Sequence, residues 1–387
     1  MGLFVPADLM AQACAATGLD DFGPTTFSAG LDAYCASVGE DAQLSELGDM
    51  AIAGTIVSSL VNRLRVVDWV KTHPEVGDEP IEAPVVVIGM FRAGTTLLSY
   101  LFDQDPANRA LLGWEAGDTV PPPTPATYRK GPRVDAARER AGMLDQLNPA
   151  ARIVHHEEPD GPTECISVMA QDFRSLSWEA ISNVPSYSEW LLADDQRSAY
   201  EYHRRVLQIL QSGGVRGRWT LKSPHHAIAL EALTSVYPDA RLVLLHRDPT
   251  VLCASVCSLI TTLSSTFSTA DHTAYIAAHW TDMLTESIAR IETFRASHPS
   301  RAICDVQYAD LVLEPVATVS RIYDAVGLDL DARAAAAIAA YVDAHPKGEF
   351  GAHRYDLASF GLDAGAIRER FAGYVERYDV PVERPAA

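Results

Sequence analysis

Apolar positions change their period along the chain, and the changes mark out its elements. Between Gln43 and Lys71 they recur at helical spacing (Leu44, Leu47, Ile52, Ile56, Leu60, Leu64, Val67), which predicts one long helix ending before Pro74. The first 80 residues read as a helical lead-in. At Pro84 the helical period gives way to a β-branched run, Pro84-Val-Val-Val-Ile-Gly89, bounded by Pro and Gly as a strand buried on both faces is. Residues 94–102, from Gly94-Thr-Thr to Phe102, then open a helix. The same strand-then-helix pairing returns in Arg218-Trp-Thr-Leu-Lys222 before Pro224 and in Arg241-Leu-Val-Leu-Leu-His246 before Pro249. Proline in a first helical turn forfeits no hydrogen bond, because that N–H has no partner anyway. Ala302-Ile-Cys-Asp-Val306 is a further strand candidate.

Strands alternating with helices predict a parallel sheet covered on both faces. The expected architecture is a three-layer α/β/α domain over residues 81–387 behind a helical extension over 1–80. Trp114 to Ser212 breaks the alternation with a Pro-rich loop (Pro121-Pro-Pro-Thr-Pro125) and helical stretches. It reads as a helical insert, residues 114–212, over the carboxyl ends of the strands, where open α/β sheets bind ligands. Its Met169, Phe173, Trp178, Tyr187 and Trp190 suit either an apolar acceptor face or the core of the cap. From Asp331 the pattern gives a helix, an irregular stretch from His345 to Phe360, and a last helix from about Asp363 to Tyr378.

Composition narrows the function. The 387 residues are 48% hydrophobic and 21% charged, an ordinary globular balance, but 31 bases against 51 acids leave a formal charge of −20. Eight acids precede the first base, Arg63. Nucleic acid and anionic membrane surfaces are poor partners for such a chain, since both are bound through clustered Lys and Arg. No stretch approaches the ~18 consecutive apolar residues of a spanning helix, so an integral membrane protein is not expected. Met1 to Cys14 lacks the basic start of a secretory signal, and Pro6 stands where a myristoylation motif has Ser or Thr. Six scattered cysteines show no C-x-x-C pair and no zinc spacing, which fits reduced thiols in a cytoplasmic protein without a metal.

The chemistry concentrates after the strands. Gly89-Met-Phe-Arg92-Ala93-Gly94-Thr95-Thr96 has the G-x-x-x-x-G spacing of a loop that cradles phosphate on backbone N–H groups and a helix N-terminus. The usual lysine is replaced by Thr95, and the loop cation is Arg92, three residues earlier. His246-Arg247-Asp248-Pro249, with Ser255 eight residues after Arg247, offers a forked charged donor and a short neutral one for a second phosphate; the same Asp248 suits a helix cap. Lys222 ends a strand and faces the same crevice as Arg92 if the sheet is parallel.

Together these residues resemble the sulfotransferases that use 3′-phosphoadenylyl sulfate. Phe91-Arg-Ala-Gly-Thr-Thr-Leu-Leu98 is similar to their 5′-phosphosulfate loop and Arg247-Asp-Pro with Ser255 to their 3′-phosphate motif. Leu221-Lys-Ser-Pro-His-His226 and His156-Glu-Glu-Pro-Asp-Gly-Pro-Thr-Glu-Cys165 are similar to the bacterial, especially actinobacterial, branch. The resemblance covers roughly Pro84 to Tyr378. It implies a P-loop-like fold and transfer of a sulfuryl group to a hydroxyl or amine of a small, neutral or apolar acceptor, releasing 3′-phosphoadenosine 5′-phosphate without a metal. Arg92, Ala93, Gly94, Thr95 and Thr96 would hold the 5′ phosphosulfate, and Arg247 with Ser255 the 3′ phosphate. Lys347 and Gly348, with His353 behind them, would close over the nucleotide. Lys222 and Arg92 would stabilise the developing charge. Glu115 is the first choice of base, with His156, Glu158 and Glu164 as competitors.

Two other readings stand beside it. A P-loop small-molecule kinase is weakened by the missing loop lysine, and a non-catalytic nucleotide or lipid binder on the same fold stays open because fold does not fix function. A homodimer is compatible with the sequence but not implied by it.

Overall fold

The computed structural model describes residues 3–154, 158–346 and 356–383. Five strands, β1 (Val85–Gly89), β2 (Asn108–Ala110), β3 (Arg218–Ser223), β4 (Arg241–His246) and β5 (Ile303–Gln307), form one sheet in the order β2-β3-β1-β4-β5. All pairings are parallel. β1 is central and buried at every residue, so its sequence is an unbroken apolar run and not an alternating one. Helices flank the sheet, giving the expected P-loop-like α/β architecture. β2 adds to the four expected strands: its Asn-Arg-Ala carries no apolar pattern and is held in the sheet by its pairing with β3.

The register sets up the site. Val87 lies opposite Lys222, and Gly89 opposite Leu245, so β1, β3 and β4 end nearly level. From β1 the chain goes first to the β2/β3 side and later to the β4/β5 side. The crevice above β1 is therefore a topological switch point.

The lead-in consists of α1 (Pro6–Thr17), α2 (Thr26–Asp41) and α3 (Glu46–Thr72). The Ser45 side chain caps α3 by accepting from the Gly48 N–H at 3.0 Å. By length and composition α3 could cross a membrane, but its row of Ile52, Ile56, Leu60 and Leu64 is fully buried within the protein. Arg63 on α3 is also buried, donating to the carbonyls of Phe22, Pro24 and Gln171 and pairing with Asp172 at 3.1 Å. One continuous apolar cluster runs from Leu9 to Val380. The change at residue 80 is thus a change of element type, with the core shared across it.

Within the insert, Met169, Phe173, Trp178 and Tyr187 are all buried. Trp178 stacks on Phe173 at 5.3 Å and meets Tyr34 of α2 at 4.5 Å, so these rings pack the cap onto the lead-in. Trp190 is half-buried beneath the Arg174 guanidinium. Two boundaries differ from the expectation. Pro224 opens a 3₁₀ turn, Pro224–Ile228, because Ser223 Oγ accepts from the His225 N–H at 3.1 Å; the helix proper is Leu230–Val236. The last helix is split into Ala364–Arg370 and Ala372–Tyr378.

On the turn after β3 and the helix Arg197–Ser212, three imidazoles are buried together. His226 Nδ1 meets Tyr200 Oη at 2.9 Å, His203 Nδ1 meets Tyr237 Oη at 2.8 Å, and His225 Nδ1 accepts from the Leu176 N–H at 3.4 Å. Burial lowers His203 and His225 to about 3, and burial with the two neighbouring imidazoles takes His226 well below its ordinary value. Since the folded values are depressed, acidification below pH ~6.5 protonates these groups in the unfolded chain while the native state excludes the proton. Stability is therefore lost as pH falls from 6.5 toward 3, by on the order of 2 kcal/mol per histidine at pH 5. The urea midpoint should fall steeply between pH 7 and 5, and His225→Gln should flatten that slope. A midpoint constant over this range would contradict the assignment.

Candidate functional site

From Gly89 the chain turns through residues 90–94 into α4 (Thr95–Phe102). Arg92 and Gly94 both take left-handed backbone, at φ 73° and 96°. Gly94 is required there on a second count, since a Cβ would stand 2.5 Å from a ring carbon of Tyr308. The turn is closed by the Ala93 N–H donating to the Met90 carbonyl at 3.1 Å. It delivers the N–H groups of Thr95 and Thr96 to the first turn of α4, which has no intrahelical acceptors and lies at the helix end that favours anions.

The two expected anion motifs meet. Arg92 Nε donates to Ser255 Oγ at 3.0 Å, and Arg92 Nη1 to the Val154 carbonyl at 2.9 Å. Arg247 Nη1 donates to the Arg92 carbonyl at 2.7 Å, and its guanidinium lies 3.9 Å above the centre of the Tyr308 ring. Ser255 is fully buried on the helix Pro249–Ser264. Asp248 does cap that helix, its Oδ1 accepting from the Thr250 N–H at 2.8 Å. The cap and the arginine thus have separate work: Asp248 fixes the helix start while Arg247 reaches back to the loop.

Lys222 joins them from β3. It is buried, and its Nζ stands 3.2 Å from Thr96 Oγ1 and 3.3 Å from Glu164 Oε1. The Cys165 N–H donates to the Lys222 carbonyl at 2.9 Å, which lays the insert along the end of β3 and carries Glu164 into the crevice. Burial pushes the Cys165 thiol up to about 12, so it stays protonated and is no nucleophile.

Glu115 lies apart from these contacts. It is 0% exposed on α5 (Gly113–Gly117), with Oε1 held by Arg109 Nη2 at 2.6 Å. Its Oε2 is held by Arg109 Nη1 at 3.1 Å and by the Leu112 N–H at 3.0 Å. Arg109 is itself buried against Trp219. The carboxylate expected as the base is thus enclosed and paired with a buried cation, a placement that does not favour that role. Glu158 is exposed, its backbone N–H on Tyr100 Oη. His156, Lys347, Gly348 and His353 lie outside the described residues.

Two members of the cluster escaped the sequence reading. Tyr308, the platform under Arg247, follows β5 directly, so its place at a carboxyl strand end was its one signal. Glu383, paired with Arg247, carried none. Among the described residues no group of three His, Cys, Asp or Glu could hold a metal ion. A cleft of ≈580 Å³ opens away from this cluster, between α3 and the helix Arg197–Ser212.

Comparison with known proteins bears on this arrangement. The sequence profile of the sulfotransferase family matches residues 84–332. Omega-hydroxy-beta-dihydromenaquinone-9 sulfotransferase Stf3, from Mycobacterium bovis and Mycobacterium tuberculosis, is 23% identical over 264 residues, 64% of this chain. The match spans 63% of the length of those relatives. Among solved structures, sulfotransferase STF9 of Mycobacterium avium superposes with a TM-score of 0.90 at 32% identity, covering 97% of both chains. Sulfotransferase STF1 of Mycobacterium tuberculosis superposes at 0.85 with 33% identity, over 95% of this chain and 98% of that one.

Proposed function

Because the chain belongs to the sulfotransferase family, we propose that it transfers the sulfuryl group of 3′-phosphoadenylyl sulfate to a hydroxyl on a small apolar, lipid-like acceptor. The observation that carries this reading is the single cluster in which Arg92, Thr96, Lys222, Arg247 and Ser255 converge from the ends of β1, β3 and β4. A donor with one phosphosulfate and one separate phosphate needs two neighbouring anion subsites. The Arg92–Ser255 contact of 3.0 Å makes them neighbours. The apolar acceptor is supported by the hydroxylated quinone named for the Stf3 relatives and by the chain's charge of −20, which disfavours large polyanions.

In this reaction the acceptor oxygen bonds to sulfur as the sulfur–oxygen bond to the 5′ phosphate breaks. The bonding pair leaves with the phosphate oxygen, giving a sulfate ester and 3′-phosphoadenosine 5′-phosphate. Positioning and fixed positive charge supply most of the rate in such transfers. The N–H groups of Thr95 and Thr96 and the Arg92 side chain bind the phosphosulfate. Lys222, anchored by Thr96, takes up charge on the bridging oxygen. Glu164 receives the acceptor proton, as the carboxylate that the insert sets against Lys222.

The direct test is ligand-dependent melting. At about 100 times its Kd, 3′-phosphoadenosine 5′-phosphate should stabilise the protein by about 2.7 kcal/mol, while ATP with magnesium shifts the midpoint little. Sulfated product should form from 3′-phosphoadenylyl sulfate and a hydroxylated apolar acceptor. The reverse ranking of nucleotides would overturn the reading.

A further inference from the structure

The side chain on which the 3′ phosphate is proposed to sit already holds an anion supplied by the chain itself. Arg247 Nε donates to Glu383 Oε1 at 2.7 Å and Nη2 to Oε2 at 3.0 Å, the parallel two-bond pairing by which arginine also grips phosphate. The pair is largely enclosed, with 11% of the Arg247 side chain and 24% of Glu383 exposed. Glu383 is led there by its backbone. Its N–H donates to Asp248 Oδ2 at 2.8 Å, the Val380 N–H donates to the Val375 carbonyl at 3.0 Å, and Val380 is buried at the end of the last helix. The strap from Tyr374 to Glu383 thus frames the Arg247 turn, with Tyr374 Oη accepting from the Arg247 N–H at 3.4 Å.

We propose that Glu383 is a built-in competitor for the 3′ phosphate at Arg247, which keeps the cation paired in the empty enzyme and speeds release of the 3′-phosphorylated product. The proposal rests on the reading of Arg247 given above. A 3′-phosphate monoester brings more charge than one carboxylate, so arriving nucleotide displaces Glu383. The backbone bond to Asp248 keeps the displaced carboxylate close, at high effective concentration. When product leaves, the carboxylate replaces the phosphate on Arg247 and the cation is never left enclosed and unpaired, the costly state for a buried charge. A nucleotide without a 3′ phosphate makes no demand on Arg247 and feels no competition.

The test is calorimetric titration of the full chain with 3′-phosphoadenosine 5′-phosphate and with adenosine 5′-monophosphate, at one ionic strength. Glu383→Ala should tighten binding of the first by about tenfold and leave the second unchanged. Glu383→Gln, which keeps the shape and removes the charge, should move in the same direction. Product inhibition should deepen in parallel. In an Arg247→Ala background the Glu383 substitution should have no further effect, which separates competition at this cation from a general loss of negative charge. Unchanged or weakened binding in both Glu383 variants, with a wild type that still prefers the 3′-phosphorylated nucleotide, overturns the competitor and spares the reading of Arg247. A wild type that binds the two nucleotides equally overturns that reading and the competitor with it.

Discussion

Lys222→Met should lower kcat by about a thousandfold while changing the affinity for 3′-phosphoadenosine 5′-phosphate by only a few fold. The size follows from losing a preorganised charged donor in a site closed to water, where removal of one such group costs about 10²–10³ in kcat. The closure is evident: Lys222 is 1% exposed, between Thr96 Oγ1 and Glu164 Oε1. Methionine keeps most of the stem volume and removes the charge, so the packing at the end of β3 survives. On the proposed reading, product nucleotide lacks the sulfuryl group and its affinity rests on the α4 turn and Arg247, which the substitution leaves alone. Single-turnover rates at saturating donor would check the effect. A kcat within tenfold of wild type, in a protein that still binds the nucleotide, would remove Lys222 from the chemistry.

Legibility in the sequence followed the locality of the forces. β1 and β4 were readable because strands buried on both faces carry unbroken apolar runs, residues 85–88 and 242–245, and the loop after β1 because a left-handed turn with a ring carbon of Tyr308 2.5 Å from any Cβ admits only glycine at 94. β2 was not, since Asn108-Arg-Ala110 owes its extended form to β3 and to no pattern of its own. Proline at 224 suggested a helix start, but a serine hydroxyl one residue earlier turned it into a 3₁₀ turn.

The site divides in the same way. Cations directly after strands were legible, because a parallel sheet gathers its carboxyl ends at one edge. Partners of those cations from other parts of the chain were not. Glu115 and Glu164 look alike in sequence, each an acid within the insert. Arg109, six residues before Glu115, folds over it and closes it off, whereas Glu164 is 58 residues from Lys222 and is carried to it by the insert. No local signal separates a carboxylate that balances a core arginine from one that faces a reactive crevice.

That distinction gives the second large effect. Glu164→Gln should lower kcat at neutral pH by about 10²–10³ if Glu164 collects the acceptor proton, within the usual range for general-base catalysis. A glutamine still offers an oxygen to Lys222 Nζ in place of the 3.3 Å ion pair, so the lysine keeps a partner and its position. A carboxylate that only positioned Lys222 would therefore be replaced with little loss, and the substitution separates the two roles. Glu115→Gln makes the contrast. It leaves Arg109 enclosed without its counter-charge, so it should lower the melting temperature, the usual result of breaking a buried pair, while folded enzyme keeps its kcat. A Glu164→Gln enzyme that retains its rate would move the proton acceptor away from Glu164.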